Sequence, residues 1–212
     1  MAGTVMTPQE HARIAEAIRA AEDRTAGEIY CVVARSSDSY LFPAAFFVTV
    51  AMLLISVAVA WTLHHWWFDP RPTTVMLAQL AAVGCGLAVL WFVPTMRIWF
   101  VPMRLRYRYA HANAVKQFLA RNVHITEART GVLLFVSLAE RYAEVVADAG
   151  IDRRVDQSAW DGVVRTLVEH AAGDRLADGF VAAVAAVGAL LERHFPRDEL
   201  DVNELDDHVV EI

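Results

Sequence analysis

Cysteine is scarce: only Cys31 and Cys85 occur among the 212 residues, and neither belongs to a Cys-x-x-Cys pair. A disulfide scaffold is therefore excluded, and both read as small buried hydrophobes. Glycine (10) and proline (7) are too few for a collagenous or low-complexity chain. Charge is the third shortage, and it is local. Residues 41–96 contain just one acid and one base, Asp69 and Arg71, while the remaining 156 residues carry 42 charges, or 27%. That second figure is ordinary for a soluble domain, so the 56% hydrophobic content overall belongs to one greasy insert. Disorder and a many-helix transporter are excluded on the same grounds. Recognised catalytic signatures are missing too: the sequence has no Gly-x-Ser-x-Gly, Walker loop or His-Glu-x-x-His.

Net charge is −6, and residues 198–212 hold seven acids and no Lys or Arg. The body before this acidic C-terminal tail is near neutral, which gives no support to nucleic-acid binding. The tail reads as a solvated extension.

Within the insert, residues 42–63 (FPAAFFVTVAMLLISVAVAWTL) and 73–96 (TTVMLAQLAAVGCGLAVLWFVPTM) each reach the roughly 20 apolar residues that cross a bilayer as a helix. Asp69-Pro70-Arg71-Pro72 breaks the chain between them, so the two form an antiparallel transmembrane helical hairpin. Trp61, Trp66, Trp67, Trp91 and Trp99 gather at the ends of the spans, as in an interfacial belt. Gly84, Cys85, Gly86 and Ala88 form a small-residue patch suited to packing the first span. His64 and His65 end the first span and read as interfacial. Arg97, Arg104, Arg106, Arg108 and Lys116 follow the second span, whereas the loop offers only Arg71. The positive-inside rule then places both termini in the cytoplasm. No basic start with an apolar core precedes the first span, so no signal peptide is expected. The spans carry no ionisable pathway residue, which disfavours a transport subunit.

The flanking halves alternate helix and strand. Thr7-Pro8-Gln9-Glu10 has capping-box spacing with Pro at the first helical position, and Ile14, Ile18 and Ala21 follow on one face up to Gly27. Residues 29–34 and 132–137 are continuous apolar runs of the kind buried on both faces of a sheet. A helix is expected over 104–121, stopped at Asn122, and a third strand over 142–147 closes a hairpin. Asp148, Asp152 and Asp156 fall in what reads as a loop. Two final helices are expected over 158–172, with Trp160, Val164, Leu167 and Ala171 inward, and over 176–194, with Phe180, Val184, Val187 and Leu191 inward. This order gives an α/β protein: a small three-layer α/β/α sandwich with an inserted transmembrane hairpin. The divisions are 1–40 and 97–197 for the two parts of the domain, 41–96 for the hairpin, and 198–212 for the tail.

Carboxylates at strand ends are the candidate chemistry. Glu28 stands at the mouth of the first strand, Asp38 in the loop after it, and Glu140 and Glu144 on the turn and second arm of the hairpin. A hard cation such as calcium would need several such oxygens. The plainer readings are a solvated connector for Glu28 and an exposed ion pair across the hairpin for Glu140, Arg141 and Glu144. Ligands of parallel sheets tend to bind beyond the carboxyl ends of the strands, here 35–38 and 137–140. Because the first of these loops runs into the insert, any site there is expected to face the membrane.

TAGEIYCVVA (25–34) and RTGVLLFVSLAERYAEVVADAGI (129–151) resemble the two signature strands of the TPM domain. His194-Phe195-Pro196 and Asn203-Glu204-Leu205 are similar to the ending of bacterial members with an inserted two-span hairpin. The resemblance implies an α/β sandwich. It also implies weak acid phosphatase activity or calcium binding through acids at the strand ends, as some members show. Many members carry an Asp or Asn pair just before the second strand; here Arg129-Thr130-Gly131 stands instead, and Gly27, Glu28 and Gly131 are the residues that match. The expectation is a domain held on a bacterial inner membrane by its hairpin, acting without catalysis or cofactor as a binding or assembly factor for other membrane proteins. Its partners are the lipid bilayer and those proteins. Trp61, Trp66, Trp67, Trp99, Arg97, Arg104, Arg106 and Arg108 form its membrane interface. The alternative is a metal-assisted phosphatase or calcium-binding domain.

Overall fold

A computed structural model describes residues 4–66, 71–125, 129–197 and 208–212. Trp67, Asp69 and the stretch 198–207 of the acidic tail lie outside them. The chain divides into two compact units, residues 1–37 with 107–212, and residues 38–106.

The first unit is a mixed α/β fold. Helix α1 (Pro8–Glu22) begins with the expected capping box: Thr7 Oγ1 accepts from Glu10 N–H at 3.3 Å, and the Glu10 carboxylate accepts from Thr7 N–H at 2.7 Å. It stops at Glu22, short of Gly27. Strands β1 (Glu28–Ala34) and β2 (Gly131–Ser137) pair in parallel, with Glu28 opposite Gly131 and Ala34 opposite Ser137. Strand β3 (Tyr142–Ala147) returns antiparallel along β2. Strand β4 (Val209–Glu211) lies parallel to the free edge of β1, giving the order β3-β2-β1-β4. The end of the expected solvated tail is thus an edge strand. Its three residues are too short for any periodicity to show, and they satisfy backbone groups that β1 would otherwise leave open.

Side chains alternate across the sheet. Ile29, Cys31, Val33, Val132, Leu134 and Val136 enter one core with α1, α6 (Gln157–Ala172) and α7 (Leu176–His194). Tyr30, Val32, Leu133 and Phe135 enter a second with Ala114 and Phe118 of the helix that follows the insert and with Val123. Helices cover both faces, so the strands read as unbroken apolar runs. The inward face of α6 is Trp160, Val163 and Leu167; Val164 and Ala171 are only half-buried, one helical step off the expected stripe. The Asp148 stretch is not a loop throughout, because Asp148 caps a short helix, α5 (Ala149–Asp152), by accepting from Ala149 N–H at 2.6 Å.

The second unit holds α2 (Leu41–His65) and α3 (Pro72–Phe92), followed by a 3-10 segment at Pro94–Phe100 and the start of α4 (Met103–Ala120). The expected second span is therefore shorter, because Pro94 ends its α-helix. Helices α2 and α3 pack through Ala44, Val48 and Leu90. A Cβ on Gly86 would come 2.5 Å from Met52 Cε, whereas Gly84 faces open space and Cys85 and Ala88 are exposed. Only Gly86 of the small-residue patch serves the packing, and Cys85 is not buried, because it points away from α2. Just 11% and 6% of the most apolar windows of α2 and α3 are buried, so both helices are long and apolar enough to cross a membrane and keep those surfaces outward.

Candidate functional site

The carboxyl ends of β1 and β2 carry a polar cluster around Glu140. Its Oε1 accepts from Ser37 N–H at 2.9 Å and from Ser36 Oγ at 3.3 Å, and its Oε2 accepts from Ser137 Oγ. Ser37 Oγ and Ser137 Oγ stand 2.8 Å apart. Glu140 and Ser137 are buried, at 3% and 0% exposure. The expected exposed ion pair with Arg141 is therefore absent among the described residues: Glu140 turns back into the sheet and locks the two strand ends together. Leu138 N–H and Ala139 N–H reinforce the lock by donating to the carbonyls of Ala34 and Arg35. Ser137 lies within the 137–140 strand end marked in the sequence but was not itself one of the candidate residues.

Glu144, on β3, belongs to a different group. It accepts from, or shares a proton with, His111 Nδ1 at 2.8 and 3.0 Å, and it accepts from Tyr142 Oη at 3.0 Å. Burial, and then the neighbouring Glu144 charge, push the Tyr142 phenol well above its ordinary value. The Tyr107 ring lies 5.3 Å from that of Tyr142. This triad ties α4 to the sheet.

Glu28 begins β1, six residues from the Glu140 end, which is roughly 20 Å along the strand. It is buried, not solvated as a connector would be. On the other face of the sheet, Glu22 at the end of α1 accepts from the Ile29 backbone N–H through Oε1 at 2.8 Å. Asp38 lies in the second unit, where its Oδ1 accepts from Tyr40 N–H at 2.9 Å and shapes the turn in which Tyr40 adopts φ 54° before α2. A calcium ion asks for six to eight oxygens. Within the first unit Glu28 and Glu140 sit at opposite strand ends, and the lone pairs of Glu140 and Glu144 already accept protein donors. This arrangement does not fit a calcium shell, and no group of three or more potential ligands is gathered among the described residues.

Among the expected interface residues, Trp61, Trp66 and Trp99 are exposed at 68%, 82% and 83%. Arg104 and Arg108 are also exposed. Arg97 and Arg106 have further work. Arg97 donates to the carbonyls of Leu90, Trp91 and Ser39, capping α3 beyond its last turn, and Arg106 Nε donates to Val101 O at 2.8 Å.

Together these features define a small α/β domain, with sealed carboxylates at its strand ends, in a chain that also bears two long apolar helices. The family model of the TPM domain matches residues 95–190 of this chain. No curated protein matches it. The NMR structure of the BA42 protein from the psychrophilic bacterium Bizionia argentinensis is similar over 100% of this chain and 99% of its own, with a TM-score of 0.62 at 16% identity. At that identity the likeness is one of fold.

Proposed function

We propose that the protein is a TPM domain anchored in a membrane by α2 and α3, whose α/β unit acts in the cytoplasm as a non-enzymatic binding or assembly factor for other membrane proteins. The observation that carries the reading is the outward apolar surface of the two helices, nine-tenths of whose most apolar windows is unburied. Water would penalise that surface at roughly 25 cal/mol per Å², and a bilayer would not. Exposed tryptophans near the helix ends and the arginines after Phe100 supply interfacial anchors and a cytoplasmic bias. The second part of the reading rests on Glu140 and Glu144, whose carboxylates hold the strand ends together and tie α4 to the sheet.

Alkaline washing of membranes should leave the full chain in the pellet. In a Cys85→Ser background, Arg71→Cys should react with an impermeant thiol reagent from outside, and Arg153→Cys only after permeabilisation. Cross-linking in intact membranes should join the α/β unit to a defined membrane protein. Recovery of the chain alone would remove the assembly role. Turnover of p-nitrophenyl phosphate with Ca²⁺ or Mg²⁺, abolished by Glu140→Gln, would replace it with the phosphatase alternative.

A further inference from the structure

The chain does not turn polar where its second apolar helix ends. Beyond Phe92, Trp99 and Met103 stand 83% and 58% exposed, on the 3-10 segment and the first turn of α4. Phe42, on the first turn of α2, is 84% exposed. Arg97 gathers these places at one end of the helix pair. It donates to the Ser39 carbonyl just before α2 and to the Leu90 and Trp91 carbonyls in the last turn of α3. Each such side chain gains by leaving water, and Trp in particular settles in the headgroup layer of a bilayer.

Charge at this end is one-sided. No Asp or Glu occurs between Asp69 and Glu127, whereas Arg97, Arg104 and Arg106 follow α3 within the same unit. Asp38 is the acid of that unit among the described residues, and its Oδ1 accepts from Tyr40 N–H. The three arginines differ in what holds them. Arg97 is taken up by backbone carbonyls, and Arg106 turns its Nε to Val101 O. Arg104 is exposed and makes no hydrogen bond or ion pair among the described residues. Met103 directly precedes it, and chain length keeps the Trp99 backbone within about 18 Å of it. A free cation thus stands beside uncovered apolar side chains, which is the complement of an amphiphilic anion.

We infer that this end of the helix pair docks in the headgroup layer of an acidic bilayer and holds an anionic phospholipid of the phosphatidylglycerol class. The lipid phosphate would meet the Arg104 guanidinium, whose planar fork suits such an anion. The glycerol and upper acyl region would cover Trp99 and Met103. Phosphatidylcholine offers the same phosphate beside a choline cation, which a surface so poor in acids leaves unpaired. The inference rests on the membrane anchoring proposed above and adds which lipid the anchor selects, and through which arginine.

The test is electron spin resonance of the full chain reconstituted in phosphatidylcholine bilayers. A trace of spin-labelled phosphatidylglycerol or of spin-labelled phosphatidylcholine is added, and the immobilised fraction gives each lipid's relative association. Phosphatidylglycerol is expected to associate about fivefold more strongly, the effect of one arginine engaged by an anionic headgroup. Arg104→Gln should bring the two lipids within about twofold of each other, whereas Lys116→Gln, the same charge removed in the other unit, should leave the preference intact. Equal association of the two lipids with the unaltered chain overturns the inference and leaves the surface to a protein partner. A preference that Arg104→Gln keeps, or that Lys116→Gln removes equally, overturns it as well. No immobilised lipid of either kind would overturn the anchoring itself, so the two failures are distinguishable. The lipid comparison uses the unaltered chain and decides the matter even if a variant fails to fold.

Discussion

A single atom decides the case for Gly131. A Cβ there would lie 2.0 Å from the backbone carbonyl oxygen of Val123, and backbone cannot step aside as a side-chain tip can. Gly131→Ala should therefore destabilise the domain by about 1–3 kcal/mol. Gly162, within α6 and facing open space, is the internal contrast. Gly162→Ala should stabilise by about 0.5–1 kcal/mol through helix propensity alone. Urea melts of the two variants beside the parent would show the opposite signs; equal shifts would mean the Val123 contact does not matter. Glu140 poses the harder case. Glu140→Ala strands the donor of fully buried Ser137 around a void, while Ser36 and Ser37 can turn to water, and a loss of about 2–3 kcal/mol is expected, since a buried donor left without its acceptor costs roughly 1–3 kcal/mol. A loss below half a kcal/mol in the same melts would show the cluster to be solvated. Reading the sequence placed Glu140 on an exposed turn because two of its donors lie more than a hundred residues upstream. No local pattern carries that information.

Elements with a period were legible, and an element without one was not. The capping box of α1 follows from its fixed three-residue spacing, and the doubly buried strands and the inward stripe of α7 from a signal carried over two or more pleats or turns. Strand β4 has three residues behind an acidic run and repeats nothing. Its anchor is Glu211, whose carboxylate accepts from Val5 N–H at 2.7 Å and Met6 N–H at 2.9 Å and meets His11 Nε2 at 3.0 Å. Burial raises this carboxyl, but the two backbone donors and His11 outweigh it and hold the group below the ordinary value of 4.5. A folded value below the unfolded one stabilises the fold in full above pH 4.5 and loses that contribution as pH falls through the folded value. The thermal midpoint of Glu211→Gln should thus lie below the parent's at pH 7, with the gap closing as acid is added below about pH 4.5. A gap that stays constant down to pH 3 would detach β4 from this titration.

At the scale of the whole molecule, one shortage in the sequence set the architecture. A 56-residue stretch with a single acid and a single base is separated from the rest of the chain by its charge density alone, and it holds the two helices long and apolar enough to cross a membrane. What the composition could not supply was which groups meet across the sheet, because that depends on the register of strands brought together from distant parts of the chain. Every buried member of the two sheet cores comes from outside residues 41–96. The helices in turn bury only Ala44, Val48 and Leu90. The α/β unit should then need nothing from the insert to fold. Replacing residues 41–96 by a Gly/Ser linker of about 12 residues, roughly 20 Å in root-mean-square reach, is expected to give a monodisperse protein in water without detergent. It should unfold in one cooperative urea transition, with near-ultraviolet dichroism reporting a packed Trp160. Aggregation of that protein, or loss of the dichroism with helix content retained, would mean that the insert is part of the fold.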